Sequence, residues 1–145
     1  NHVITENTMV PFTGASILTE DSRILMSTDF EKNPFFYFTD GGKKLYVYSM
    51  EAGTHALAYE ASSKITGLSS SSLACPFSEY GANSTAANFR LALTQEGGTV
   101  SVLDVEEAKM VRPFEGQQPD LLLKSISGFG DIKDIEWVTN YKGEF

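Results

Sequence analysis

A strand–glycine turn–strand unit occurs twice in this chain at one spacing, and no other feature of the sequence limits the fold so strongly. The first copy lies in Phe35–Ala61. A compact aromatic run, Phe35–Thr39, is closed by Asp40-Gly41-Gly42, and Leu45–Tyr48 then alternates around aromatic and β-branched residues. Paired glycines between two such runs mark a hairpin, because glycine enters positive φ without steric cost. The turn Met50-Glu51-Ala52-Gly53 leads on to a third strand at His55–Tyr59. The second copy lies in Phe89–Gly116. It has a strand at Phe89–Thr94, a turn at Gly97-Gly98 and a strand through Val100, Val102 and Leu103; Glu106-Glu107-Ala108-Lys109 then turns the chain into Met110–Phe114. Thr39 matches Thr94 and Val47 matches Val102 at an offset of 55, while Gly41 and Gly42 match Gly97 and Gly98 at 56. Self-similarity at a fixed period is the sequence signature of a repeat architecture.

Further extended candidates flank each meander: Lys64–Leu68 after the first, Ile132–Val138 after the second, and Ala15–Leu18 with Ile24–Met26 ahead of the first. This strand order is that of a β-propeller blade, which has four antiparallel strands. The expectation is therefore an all-β chain of antiparallel meanders, forming about two and a fraction propeller-like blades; the alternative is a small β-sandwich. The repeat units fall at roughly 15–61 and 64–116, with a third partial unit at 127–141, inside a single β-rich domain or propeller fragment spanning 1–145. Propellers close with about four blades or more. Two units thus imply, in descending order, a longer native chain, assembly with copies of itself, or a small sandwich. Ser69–Asn88 holds four consecutive serines and Pro76 and reads as a long loop. Gly116–Lys124 contains Pro119 and Leu121-Leu122-Leu123, which suit a strand or one helical turn.

Charge narrows the partners. The net charge is −8 and the isoelectric point about 4.7, and no Lys/Arg cluster is present to neutralise phosphates, so nucleic acid is not expected as a partner. No apolar run approaches the ~20 residues of a membrane-spanning helix, so no transmembrane segment is expected. The chain starts at Asn1 without an initiator methionine or an apolar leader, which suggests a processed product or a part of something longer. Its single cysteine, Cys75, precedes Pro76 and reads as a small, semi-buried apolar residue.

The search for reactive groupings returns little. His2 and His55 are far apart and no cysteine pair accompanies them, so neither a metal site nor a cofactor is expected. No serine stands in a Gly-x-Ser-x-Gly elbow. The glycine pairs precede strands and lack a following Gly-Lys-Ser/Thr, so they are turns and not phosphate cradles. Asp134 and Glu136, two apart in an expected strand, would share one face, with Ile135 and Trp137 on the other. Carboxyls about 5–10 Å apart suit glycoside hydrolysis, but a strand with one wet face explains the same pattern. Asp131 could join them around calcium, although the spacing is not that of an EF-hand loop. No catalytic residue is assigned. The aromatic cluster remains: Phe36 and Phe38 point to one face, Phe35 and Tyr37 to the other, and Tyr46 and Tyr48 share a face on the neighbouring strand. Packing between sheets accounts for most such rings, and stacking on a ligand for the rest. On the second account the binding residues are Tyr37, Tyr46, Tyr48 and Trp137.

The closing stretch Ser127-Gly128-Phe129-Gly130-Asp131-Ile132-Lys133-Asp134-Ile135, with Gly97-Gly98-Thr99-Val100 upstream, resembles the C-terminal propeller-like region of the PKD-like surface lipoproteins of Bacteroidetes. These are found beside SusC/SusD-type glycan uptake genes. The likeness covers roughly Phe35 to Tyr141. It implies an exported chain at the outer-membrane surface or in the periplasm, with an accessory role in polymer capture. The expected function is a non-catalytic binding module of a bacterial surface protein that recognises a glycan or a partner protein. The alternatives are a structural domain packed against the rest of a longer chain and a glycan hydrolase fragment using Asp134 and Glu136.

Overall fold

The computed structural model describes residues 2–5, 8–11, 13–25, 35–70 and 90–137. They form ten strands. A two-stranded antiparallel hairpin joins β1 (His2–Thr5) to β2 (Thr8–Pro11). A four-stranded sheet follows, made of β3 (Ile24–Leu25), β4 (Phe35–Thr39), β5 (Lys44–Ser49) and β6 (Thr54–Glu60). The second four-stranded sheet holds β7 (Ile65–Ser70), β8 (Arg90–Gln95), β9 (Thr99–Asp104) and β10 (Leu122–Ile126). Both sheets are antiparallel, and in both the spatial order of the strands is their order along the chain. The chain is all-β, in two blade-like meanders.

The middle hairpins match at the repeat's offset, β4–β5 against β8–β9. Their turns are longer than two residues. In the first, the Asp40 carboxylate accepts the Gly42 amide at 2.8 Å and Gly41 takes φ 84°, an Asx-type turn in which a side chain stands in for backbone. In the second, Gly97 and Gly98 both have positive φ, and a Cβ on Gly98 would run into the backbone of Gly130.

Other strand expectations shift. Met110–Phe114 is not a strand: a single helical turn, α1 (Glu107–Met110), and a 3-10 turn (Arg112–Glu115) take its place. Glutamate, alanine, lysine and methionine favour helix, and Pro113 has no N–H to give a ladder. Gly116, at φ 77°, ends the turn in the left-handed region. The fourth strand of the second sheet is β10, so this sheet runs past the expected boundary at 116. No strand occurs at 127–137, and the rest of 127–141 lies outside the described residues. Ahead of the first meander, Thr13–Ser16 is a 3-10 turn where a strand was expected, and Ile24–Leu25 pairs with β4, Met26 lying outside the described residues. Of the loop expected at Ser69–Asn88, Ser69 and Ser70 instead belong to β7; residues 71–89, with Cys75, lie outside the described residues.

The sheets pack face to face. Phe35, Tyr37, Leu45, Val47 and Ala58 from the first meet Ile65, Leu91, Leu93 and Leu103 from the second, and Val105, Met110 and Leu121 complete this core. Burying one such side chain contributes about 1.5–3 kcal/mol. A polar chain runs from the buried Ser101 and Gln95 out to the surface. The Ser101 hydroxyl donates to Gln95 Oε1 at 2.5 Å, and Gln95 Nε2 donates to the hydroxyls of Ser62 and Ser63, each at 3.2 Å. Among the described residues no helix is long and apolar enough to cross a membrane.

Candidate functional site

The alternation of β4 and β5 divides the aromatic residues between two faces, as their spacing requires. Tyr37 pairs with Val47 and faces the second sheet. Phe36 pairs with Tyr48 and Phe38 with Tyr46 on the far face. There Phe36, Phe38 and Tyr48 form a second cluster, covered by Ile17, Leu18 and Met50. The Phe36 and Tyr48 rings stack with centroids 4.8 Å apart.

Two of the four expected binding residues are therefore core. Tyr37 is buried and Tyr48 wholly so, and burial raises the pKa of both hydroxyls. Neither ring has a face left for a ligand. The aromatic density that marked them as a platform is what two sheet faces closed on both sides demand. Tyr46 differs. It is half-buried, and its ring lies nearly parallel to that of Phe38, with centroids 5.3 Å apart and planes 15° apart. His55, from β6, meets both rings edge-on at 5.9 Å. Burial lowers the His55 pKa below its ordinary value, which favours the neutral imidazole at neutral pH. Tyr46 and His55 thus form the partly exposed edge of a ring cluster over the buried Phe38 on the far face. Sequence reading missed His55 here, although its pairing with Tyr48 follows once the third strand is registered.

Trp137, the fourth expected residue, sits elsewhere. It is half-buried, and its indole N–H donates to the carbonyl of Ser69 on β7 at 2.9 Å. The structure does not bring Trp137 together with Tyr46. Asp134 and Glu136 are exposed and lie outside any strand, so the shared strand face that paired them is not formed. Asp134 accepts the amide of Ile135 at 2.8 Å, and Asp131 pairs with Lys133 at 2.8 Å. That hydrogen bond, more than the charge attraction beside it, lowers the Asp131 pKa. Among the described residues no three His, Cys, Asp or Glu side chains gather as metal ligands would.

A second surface feature lies at β10, whose residues are all exposed. Leu122, Leu123 and Ile126 stand open there, and Phe129 beyond them is 57% exposed. Gly128 and Gly130, both at positive φ, flank Phe129, while its amide donates to the Gly98 carbonyl at 3.2 Å. The loop holds an apolar ring outward. Its sequence signal was Gly-Phe-Gly, which does not of itself announce an exposed aromatic.

Compared with protein-family models, curated proteins and solved structures, the chain matches none of them.

Proposed function

We propose that this chain is a non-catalytic binding module of an exported bacterial surface protein, accessory to the capture of a glycan or similar polymer. The observation that carries this reading is the Tyr46 ring, half-exposed and backed in parallel by the buried Phe38. A sugar ring stacks on flat apolar area that already has its orientation fixed, so that little side-chain freedom is lost on binding. His55 adds a polar nitrogen at the edge of the same surface. The supporting resemblance is that of Ser127–Ile135 to surface lipoproteins encoded beside glycan uptake genes.

Affinity electrophoresis through gels cast with a panel of polysaccharides tests the proposal. Retardation by at least one polymer is expected, with Tyr46→Ala losing it while keeping its melting temperature within about 3 °C, as suits a partly exposed position. Retardation that survives Tyr46→Ala removes this surface from the reading. Release of reducing sugar that disappears in both Asp134→Asn and Glu136→Gln would replace it with the hydrolase.

A second reading, a domain that packs against another protein surface, is favoured by a separate observation. Leu122, Leu123, Ile126 and Phe129 are each exposed along or just beyond the edge strand β10, and an exposed edge strand with apolar side chains can pair with another surface.

A further inference from the structure

The two sheets meet through faces that do not correspond. At the offset of 55, Tyr37, Leu45 and Val47 match Ala92, Val100 and Val102. The first three point into the shared core. The second three lie on the opposite side of their sheet from Leu91, Leu93 and Leu103, which supply the core from β8 and β9. Those leucines in turn match Phe36, Phe38 and Tyr48, on the far face of the first sheet. A two-fold axis between duplicated sheets would bring equivalent faces together. Front against back is instead a rotation about a common axis, the relation of successive propeller blades, and it leaves one back and one front over. The leftover back, on the first sheet, is covered by Ile17, Leu18 and Met50.

The leftover front is the far face of the second sheet. Ile126, Val100 and Thr94 stand abreast on it, as do Lys124, Val102 and Ala92. On it Ala92 and Thr94 are buried, Val100 and Val102 are half-buried, and Ile126 is exposed. The chain leaves this sheet much as it left the first. After β6, the Ile65 amide donates to the Gly42 carbonyl at 2.9 Å and the chain becomes β7. After β10, the Phe129 amide donates to the carbonyl of Gly98, the match of Gly42, and the chain runs on to Trp137 at β7. Arg23, which immediately precedes β3, also donates to a β7 carbonyl, that of Thr66, at 2.9 Å. Arg23 and Trp137 thus hold β7 from two sides of the repeat.

We infer that the far face of the second sheet is the seat of a third four-stranded sheet carried by the same polypeptide, with residues 131–137 in the place of its first strand. The incoming face carries side chains of leucine or phenylalanine size, because Ala92, Val100 and Val102 are no larger than the Tyr37, Leu45 and Val47 they match, and mostly smaller. A second copy of this chain does not fit the same role, since the back it would offer is already covered by its own Ile17, Leu18 and Met50.

The test compares Val47→Asp with Val102→Asp in two lengths, the 145-residue chain and the product of the whole reading frame. In the short chain Val47→Asp is expected to abolish cooperative unfolding. Val102→Asp, with Lys124 opposite, should shift the melting temperature by less than about 3 °C. In the whole product Val102→Asp should cost about 10 °C or more, because the charge is then buried. A reading frame that stops at Phe145 overturns the inference. So does a Val102→Asp shift that is equally small in the whole product, or already large in the short chain. Sedimentation equilibrium adds an independent arm: a dimer of the short chain that Ile126→Asp dissociates would give the face to a second copy and overturn the commitment to the same polypeptide.

Discussion

In the first sheet the face turned away from the core carries Phe36, Phe38, Tyr46 and Tyr48; at the matching positions of the second stand Leu91, Leu93, Ser101 and Leu103, turned toward the core. One backbone unit is thus clothed in two ways. Where a sheet must be sealed by a short segment such as Thr13–Leu18, large rings bring their own stacking partners and need only a few aliphatic side chains over them. Where a sheet packs on another sheet, leucines interdigitate, and a small serine leaves room for its bond to Gln95. The same repeat supports a self-closing end and an interior.

The largest test of this comparison removes one side chain from each version. Phe38→Ala should destabilise the chain by about 3–5 kcal/mol and Leu93→Ala by about 2–5 kcal/mol in urea unfolding, both being fully buried. If Phe38→Ala costs under about 1 kcal/mol, the aromatic face is not a sealed core and the comparison fails. A smaller effect distinguishes the two turns. Gly98→Ala meets both a positive φ and the Gly130 backbone and should cost about 2 kcal/mol or more, whereas Gly42→Ala, free of that conformation, should stay within about 1 kcal/mol. Equal costs would mean that residues 128–130 do not lean on the second turn.

The smallest effect is one of pH. The pKa of His55 is lowered in the fold by burial, so the unfolded chain binds the proton more readily. The stability tied to neutral His55 is therefore present above its unfolded value near 6.5 and is lost as pH falls through the folded one. Melting temperatures at about pH 7.5, 6.5 and 5.5 should decline less steeply in His55→Gln than in the parent. Parallel profiles would show that the imidazole titrates as if unfolded.

Much of the fold was legible because hairpins are local. The glycine pairs, the aromatic alternation at Phe35–Thr39 and the offset of 55 located β4, β5, β8 and β9 within a residue or so. The fourth strand of the second sheet was not, since Leu121-Leu122-Leu123 is too short for its period to separate strand from helix. Pairing with Leu103 and Val102, a tertiary fact, decided it. The candidate site was less legible still. Alternation says that Tyr37 and Tyr48 face opposite sides, but not that both sides are covered. Tyr46 and Tyr48 look alike in sequence, and only the segment lying over the far face tells them apart. Trp137 was marked for its type, and its position on β7 depends on a path that no local pattern records.

The neighbour-by-neighbour strand order within each sheet has a consequence for how the chain comes into being. Every pairing in the first sheet is made between residues no later than Glu60, so a nascent chain could hold that meander before Arg90 has been synthesised. Contacts close in sequence form early and at low entropic cost. The aromatic cap belongs to the half made first. A ribosome-stalled chain long enough for Ala61 to have cleared the exit tunnel should already protect the amides of β4 and β5 from hydrogen exchange, and β8 should gain protection only once β9 has emerged.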